Sequence, residues 1–407
     1  MEYGLIGEHL KHSFSKQIHE YIAGYTYEIK EIAKEDLSSF LLKREFKAIN
    51  VTIPYKESVI PYLDEISEEA KLVGAVNCIV NRNGKLYGYN SDVFGFIELV
   101  NHLGLSIKDK NCLILGNGGA SKAVEAGLKT LGAKKILKAS IKKEEGCLSY
   151  EEIKSHKEIE VIVNATPVGM YPNNEDRIIS LDDFPSLEGV MDVIYNPIRT
   201  NLVLDAQNKG LKAEGGLYML VAQAVKAIEI FLNKKLDNEI LEKTYQKILK
   251  EHTNIVLIGM PSSGKTTIGN ILKDKTSLPL VDLDEEIIKV IKMPIKDYFA
   301  LKGEEAFREV ESEVIKNIYQ QAPLIISTGG GAILKEINVN RLKQNGILYF
   351  IKRDLDLLVA TDDRPLSNDI EKLRKIYEYR LPIYQKVADK VINNNKEIEE
   401  AIKQFEE

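Results

Sequence analysis

Cysteine is scarce in this chain of 407 residues, and its three copies (Cys78, Cys112, Cys147) are odd in number and form no metal-ligand spacing. That argues against a disulfide scaffold or a thiolate metal centre and for free, buried thiols in a reducing cytoplasm. No apolar run is long enough to span a bilayer. The opening, MEYGLIGEHLKHSFSK, lacks the basic-then-apolar pattern of a leader. No excess of positive charge exists: the formal net charge is −6, the pI is near 5.8, and basic and acidic residues are mixed along the chain. That leaves no electrostatic footprint for nucleic acid. No repeat, low-complexity tract or Gly/Ser-rich linker interrupts the sequence. What remains is a globular composition, 44% hydrophobic and 29% charged, in a chain long enough for two or three domains.

Apolar segments such as EYGLIG, AINVTIP, NCLILG, KKILKAS, VIVNATP and GVMDVIY alternate with helical patterns such as KEDLSSFLLKREF and ASKAVEAGLKTLG. This is βαβ rhythm and predicts parallel sheets. MLVAQAVKAIEIFL and NEILEKTYQKILKEH read as further helices, and NIVLIG as a strand that opens a second half. The boundary is expected near His252, with a helix joining the halves, and NNNKEIEEAIKQFEE as a closing surface helix.

Two glycine-rich turns each follow an apolar strand and open a helix. Gly259 to Thr266, GMPSSGKT, fits G-x-x-x-x-G-K-[ST]. Its glycines let backbone N–H groups curl around phosphate, its lysine reaches the β/γ oxygens, and its threonine hydroxyl suits Mg²⁺. The other, Gly116-Asn117-Gly118-Gly119-Ala120-Ser121, stands where a dinucleotide pyrophosphate docks, although Ser121 replaces the final glycine of the fingerprint. Alone it could be an ordinary strand–helix turn. In the second half, Asp282 and Asp284 alternate, which predicts both side chains on one face of a strand end. One could hold Mg²⁺ through water and the other accept a hydroxyl proton. Arg308 and Glu311 share a helix face. Gly329 to Gly331 permit close backbone approach to a ligand, and Arg364 and Arg380 follow.

Together these motifs (Walker loop, D-x-D, F-R-x-x-E, G-G-G, R-P-L and a late R-x-x-x-Y) make residues 253–407 resemble shikimate kinase. The resemblance implies that Asp284, Arg308, Gly329, Gly330, Gly331 and Arg380 hold shikimate, with Asp284 as base. It implies that Lys265, Ser262, Ser263, Gly264, Thr267 and Arg364 handle ATP, and Thr266 and Asp282 the Mg²⁺. The lid segment LDLLVATDDRPLSND has no arginine ahead of Arg364 where the family often offers one to adenine.

The first half carries a second set in order: Ser13 and Ser15, Thr52 and Lys56 in NVTIPYK, Asn77 in GAVNCI, Asp92 in GYNSDVFGF, then NATPVGM, DVIYNP and GGLYMLVAQA. Residues 3–235 thus resemble shikimate dehydrogenase. The resemblance implies reduction of 3-dehydroshikimate by NADPH, with Lys56 and Asp92 catalytic. Ser13, Ser15, Thr52, Asn77, Tyr195 and Gln223 would bind substrate. Gly116, Asn117, Gly118, Gly119, Ala120, Ser140, Lys142, Val193 and Gly216 would bind the cofactor. An ammonium beside the carbonyl can stabilise charge and donate a proton, and desolvation would lower the ordinary lysine value of ~10.4.

Three stretches depart from the family pattern. Lys16 replaces a usual proline. Tyr218 replaces a common glycine and either crowds the nicotinamide end or points outward. Ala139, Ser140 and Ile141 stand where NADP users commonly show N-R-T. No acid ends that strand, which speaks against NAD; Ser140, Lys142 and Lys143 could serve a 2′-phosphate, so NADP is favoured.

The expected fold is α/β: a two-lobed dehydrogenase over residues 1–250, followed by a P-loop kinase domain with a parallel sheet at 253–407. In the first, a substrate lobe (about 1–90 and 217–250) flanks an NAD(P)-binding Rossmann lobe (about 91–216). The expected protein is a cytoplasmic bifunctional shikimate-pathway enzyme using NADP(H), ATP and Mg²⁺. Its partners are small-molecule substrates, with no nucleic acid, no membrane and no particular oligomer implied. A broader NAD-linked quinate/shikimate dehydrogenase is the competing enzyme. A ligand-sensing regulator is disfavoured because the catalytic residues are present and no basic helix-turn-helix is.

Overall fold

The computed structural model describes residues 1–10, 13–142, 144–321, 323–358 and 370–405. By internal contacts the chain divides into two units, Met1–Leu249 and Lys250–Glu407. The division falls in the last turn of a helix, Glu239–Glu251.

The first unit holds two sheets. One is built from β1 (Tyr3–Gly7), β2 (Tyr27–Glu31), β3 (Ala48–Val51), β4 (Glu65–Ile66), β5 (Cys78–Arg82) and β6 (Lys85–Tyr89), in the order β2-β1-β3-β5-β6-β4. It is mixed rather than parallel: β5 runs antiparallel to both β3 and β6. The β5–β6 pair is joined by a two-residue hairpin at Asn83-Gly84, both at positive φ (53° and 84°). That geometry matches the twist of the flanking strands. The other sheet is wholly parallel: β7 (Asn111–Leu115), β8 (Lys135–Ala139), β9 (Val161–Asn164), β10 (Gly189–Asp192) and β11 (Lys212–Glu214), ordered β11-β10-β9-β7-β8. Its strands β7 and β9 are buried on both faces, as the continuous apolar runs CLIL and VIV require.

Eight helices accompany these sheets among the described residues: α1 (Ser15–Ala23), α2 (Leu37–Lys43), α3 (Glu68–Val73), α4 (Asp92–Leu103), α5 (Gly119–Thr130), α6 (Asn201–Asn208), α7 (Leu217–Leu232) and α8 (Glu239–Glu251). Helix α4 packs closely on α7 because Gly95 has no side chain; a Cβ there would lie 2.6 Å from the Met219 carbonyl. Tyr218 lies 7% exposed in that packing. Its ring stacks on His102 at the end of α4 (centroids 3.9 Å apart) and meets Tyr245 of α8 edge-on at 4.9 Å. It is therefore a core contact between helices, which answers the question its replacement of glycine raised. Lys16 is exposed and lies 3.9 Å from Glu20, one helical turn on.

The second unit has one parallel sheet: β12 (Asn254–Ile258), β13 (Leu280–Asp282), β14 (Ile325–Ser327), β15 (Gly346–Lys352) and β16 (Lys390–Asn393), ordered β13-β14-β12-β15-β16. Around it lie α9 (Lys265–Thr276), α10 (Leu283–Ile291), α11 (Ile295–Ile318, broken at Gly303), α12 (Glu336–Gln344), α13 (Ile370–Val387) and α14 (Ile398–Lys403). Apolar clusters cover both faces, one around Val256, Ile326, Leu348 and Phe350 and one around Leu257, Ile325 and Ile351. Each such buried side chain contributes roughly 1.5–3 kcal/mol. The closing helix α14 is shorter than expected and sends Ala401 and Ile402 into the core. The α/β class, with its two-lobed first half and parallel-sheet phosphate-loop second half, is as expected.

Cys78 and Cys112 are buried and Cys147 half-buried, all free. Among the described residues, no helix is long and apolar enough to cross a membrane.

A buried polar knot ties the carboxyl ends of β9 and β10. Asp192 accepts from the Asn164 amide at 3.0 and 3.1 Å, the Thr200 hydroxyl at 2.7 Å and the Ile194 N–H at 2.9 Å. Burial outweighs these donors and pushes the Asp192 carboxyl up to about 6. The folded value thus lies above the unfolded one. The group's stabilisation is fully present below pH ~4 and is lost as pH rises through 6, by on the order of 3 kcal/mol. The unfolding free energy of the wild type minus that of Asp192→Asn should therefore fall by about that much between pH 4 and 7. Chemical denaturation of the two proteins across this range checks it; a constant difference contradicts it.

Candidate active sites

In the first unit, β3 ends at Val51 and delivers Thr52 and Lys56 on a compact loop closed by the Tyr55 N–H to the Thr52 carbonyl (2.9 Å). The Lys56 carbonyl accepts from the Val76 N–H at 2.8 Å, which sets Lys56 beside Asn77. Asp92 opens α4, and its N–H is capped by the Asn90 side chain at 2.9 Å. These pieces converge. Lys56 Nζ donates to Asp92 Oδ2 at 2.7 Å, and the Asn77 amide donates to Asp92 Oδ1 at 2.8 Å. Asn77 Oδ1 in turn accepts from the Ser91 N–H at 2.8 Å. The lysine side chain is 16% exposed and the aspartate 6%. A buried pair so arranged has both carboxylate oxygens satisfied, which offsets the cost of removing the charges from water.

Elements of the parallel sheet close over this centre. A Cβ on Gly119, at the start of α5, would lie 4.0 Å from the Lys56 side chain. Glu57, exposed, and Lys122, half-buried, pair across the same gap at 2.6 Å. The Phe14 ring meets Tyr195 at 5.2 Å, so Tyr195 comes up beside Ser13 and Ser15. Ser13 Oγ accepts from the Ser15 N–H at 3.2 Å. Gln223 on α7 lies against Gly95, one turn along α4 from Asp92.

The glycine loop keeps its turn despite its missing last glycine. Gly116 adopts φ 105°, and a Cβ there would lie 2.9 Å from the Thr166 side chain. Gly118 faces open space. Ser121 closes the loop instead of straining it: its hydroxyl donates to the Gly118 carbonyl at 2.6 Å. Ala120 lies in the first turn of α5, and a helix N-terminus favours an anion. Gly216 has its N–H on the Ile194 carbonyl at 2.7 Å, and a Cβ on it would lie 2.2 Å from the Val193 carbonyl, so these two are held together. Ser140 follows β8; its N–H donates to the Leu148 carbonyl at 3.0 Å, and its hydroxyl accepts from the Lys142 N–H at 3.3 Å. Lys142 is exposed; Lys143 lies outside the described residues.

In the second unit a cavity of about 240 Å³ is lined by Ser262, Ser263, Gly264, Lys265, Thr266, Thr267, Asp282, Asp284, Ser327 and Thr328. Lys265 Nζ folds back onto the Gly259 and Met260 carbonyls at 3.0 and 2.8 Å. The Thr266 hydroxyl donates to Asp282 Oδ2 at 3.2 Å. The D-x-D pair differs from the expected alternation on a strand. Strand β13 stops at Asp282, which caps α10 by accepting the Asp284 N–H at 3.0 Å, and Asp284 stands in the first helical turn. Capping brings both carboxylates to the cavity by a different route.

Deeper in, Arg308 Nη1 donates to Glu311 at 2.8 Å and Nη2 to Glu304 at 3.1 Å. Glu311 is 1% exposed, so the i, i+3 pair is a core feature and not a surface one. Burial raises the Glu311 carboxyl above its ordinary range against the pull of Arg308. Arg380 is also buried, at 5% exposure. Arg308 Nε, Arg380 Nε and Glu311 Oε1 are buried with no hydrogen-bond partner. Orphaned guanidinium donors in a core call for an acceptor from outside the chain, such as a carboxylate. The three glycines make room for it. A Cβ on Gly329 would lie 2.8 Å from Asp284, one on Gly330 2.9 Å from Pro261, and one on Gly331 2.1 Å from Arg308. Tyr384, one turn after Arg380, hydrogen-bonds the Gly330 carbonyl, and Asn394 donates to the Ser263 carbonyl at 2.8 Å. Sequence reading had no signal for Asn394, 131 residues away in the chain. Arg364 lies outside the described residues.

A cleft dehydrogenase with a lysine–aspartate pair facing a dinucleotide loop, followed by a P-loop kinase with a buried arginine pair, is the class these sites define. Residues 5–79 match the shikimate dehydrogenase substrate binding domain and residues 261–407 the shikimate kinase family. A shikimate dehydrogenase (NADP(+)) of Clostridium beijerinckii is 41% identical over 262 residues, covering 60% of this chain and 96% of that one. Among solved structures, shikimate dehydrogenase 1 of Peptoclostridium difficile is 39% identical with a TM-score of 0.57, over 61% of this chain and 98% of that one. A chorismate mutase/shikimate 5-dehydrogenase fusion protein of Clostridium acetobutylicum is 36% identical with a TM-score of 0.58, over 60% and 96%. The chain belongs to the shikimate dehydrogenase family and carries a shikimate kinase domain behind it.

Gly331→Ala should drive Arg308 from its place and lower kcat/KM for shikimate in ATP-dependent phosphorylation by about 10²-fold, the scale of an ångström-size misplacement. NADPH oxidation by the same protein should stay at the wild-type rate. An unaltered KM for shikimate would show that Arg308 does not face the substrate.

Proposed function

We propose that the chain catalyses two consecutive steps: NADPH-dependent reduction of 3-dehydroshikimate to shikimate, then ATP-dependent phosphorylation of the shikimate 3-hydroxyl. The observation that carries the reading is the pairing of two complete centres in one polypeptide. One is the 2.7 Å Lys56–Asp92 pair beside a dinucleotide loop, the other the buried Arg308 and Arg380, each with an unbonded Nε, in the same unit as a Walker loop.

In the first centre NADPH supplies the hydride when bound. Lys56 then stabilises the charge that develops on the carbonyl oxygen and gives it a proton. Asp92, steadied by Asn77, keeps the Lys56 side chain aimed. Ser13, Ser15, Thr52, Asn77, Tyr195 and Gln223 bind the substrate's hydroxyls and carboxylate. Gly116, Asn117, Gly118, Gly119 and Ala120 receive the pyrophosphate; Val193, Gly216, Ser140 and Lys142 complete the cofactor site. The domain reading stays as above: a substrate lobe of about 1–90 and 217–250 around a cofactor lobe of about 91–216.

In the second centre Arg308 and Arg380 hold the shikimate carboxylate, and Gly329, Gly330 and Gly331 let the ring approach the backbone. Asp284 accepts the 3-hydroxyl proton. Ser262, Ser263, Gly264, Thr267 and Arg364 cradle the nucleotide phosphates, and Lys265 leaves the loop carbonyls for the γ-phosphate. Among the described residues no cluster of three His, Cys, Asp or Glu could hold a metal alone. Mg²⁺ needs fewer protein ligands because phosphate and water complete its shell. The Thr266 hydroxyl and Asp282 carboxylate, 3.2 Å apart, fit it. When bound, Mg²⁺ neutralises phosphate charge.

Lys56→Ala should cut NADPH oxidation with 3-dehydroshikimate by about 10²–10⁴-fold and leave phosphorylation of supplied shikimate intact. Lys265→Ala should do the reverse. Separate spectrophotometric assays of the two purified variants test this. Loss of both activities in either variant, or of neither, would break the assignment.

A further inference from the structure

Strand β8 is followed by a loop whose described residues, 140–142 and 144–148, are tied back to the strand. The Ser140 N–H donates to the Leu148 carbonyl at 3.0 Å and the Leu148 N–H to the Lys138 carbonyl at 2.8 Å. Within it the Cys147 N–H donates to the Glu144 carbonyl at 3.1 Å and closes a turn. That turn carries Glu144 back toward the sheet, where its carboxylate accepts a hydrogen bond from the Asn117 side-chain amide. Asn117 stands between Gly116 and Gly118, beyond the carboxyl end of β7, and β8 is the neighbour of β7 in the sheet.

In a dinucleotide fold of this order the adenosine ribose lies over the end of the second strand. The side chain that meets it reads the 2′ position: a carboxylate accepts the ribose hydroxyls, whereas a cation receives a 2′-phosphate. The end of β8 itself offers neither, since it runs Ala139, Ser140, Ile141, and Ile141 is 80% exposed. No arginine lies between 139 and 148. Lys142 is exposed, while Glu144 is half-buried and anchored to the glycine loop. An acid is thus supplied to the ribose edge from the loop rather than from the strand end. The anchored group is the negative one.

We propose that Glu144 is a specificity-determining residue of the dinucleotide site: its carboxylate accepts the ribose 2′-hydroxyl, opposes a 2′-phosphate and lets NADH serve alongside NADPH. The inference rests on the dehydrogenase reading of this half and deepens it. Lys142 works in the other direction, as the exposed cation available to the phosphate.

The test is calorimetric titration of the full chain with NADP⁺ and with NAD⁺, for the wild type, Glu144→Gln and Lys142→Ala, together with NADPH- and NADH-dependent reduction rates. Glu144→Gln should weaken NAD⁺, tighten NADP⁺ and shift the ratio of the two Kd values toward NADP⁺ by about tenfold or more, the scale of a charge-assisted hydrogen bond. Lys142→Ala should shift the ratio the opposite way. The proposal is overturned if Glu144→Gln leaves the ratio unchanged, or if it weakens both nucleotides equally, as a residue that merely holds the loop would. Failure of the wild type to bind NAD⁺ overturns it as well. A shifted ratio in a protein that reduces nothing with either nucleotide would sustain the proposal and remove the dehydrogenase reading instead.

Discussion

The 2.7 Å contact between Lys56 and Asp92 organises the first half of the molecule. A nearly buried ammonium and carboxylate stay charged only if their hydrogen-bonding capacity is met within the protein. Meeting it recruits most of the surrounding chain. The Lys56 carbonyl is bound to Val76, Asn77 bridges Asp92 and Ser91, and Asn90 caps the helix that Asp92 opens. One strand end, one hairpin and one helix N-terminus are thereby locked into one corner. The dinucleotide loop then only has to approach it, as the start of α5 does at Gly119.

The second half solves the complementary problem. Its buried guanidinium groups are not fully partnered by the chain: Arg308 and Arg380 each keep an unbonded Nε, and Glu311 an unbonded oxygen. Two cations in one pocket repel, and Glu311 and Glu304 hold Arg308 against that repulsion. Leaving such donors unmet costs stability, and under the proposed function the substrate carboxylate would offset that cost. Gly331 matters to this arrangement as much as the arginines do, because any side chain there would occupy the guanidinium's place.

Much of this was legible in the sequence, because phosphate loops and buried parallel strands write short local patterns: NCLILGNGG and NIVLIGMPSSGKTT each spell strand, turn and helix in order. What was missed depended on chain closure. The antiparallel β5–β6 hairpin had a local signal, Asn83-Gly84, but the βαβ rhythm masked it. The Asp282–Asp284 spacing of two fits a strand as well as a cap followed by a helical turn, and only the stop of β13 decides. Ser121 breaks the glycine fingerprint in sequence, yet its hydroxyl closes the loop. Asn394 on the Ser263 carbonyl and Glu144 on Asn117 are tertiary contacts with no periodicity to betray them.

The central claim is that one chain makes a product at its first centre that its second centre consumes. Mass spectrometry of the purified chain incubated with 3-dehydroshikimate, NADPH, ATP and Mg²⁺ tests it most directly. The account predicts shikimate 3-phosphate, formed only when both nucleotides are supplied, with free shikimate accumulating when ATP is withheld. Shikimate that is never phosphorylated, or starting material left untouched, would contradict it.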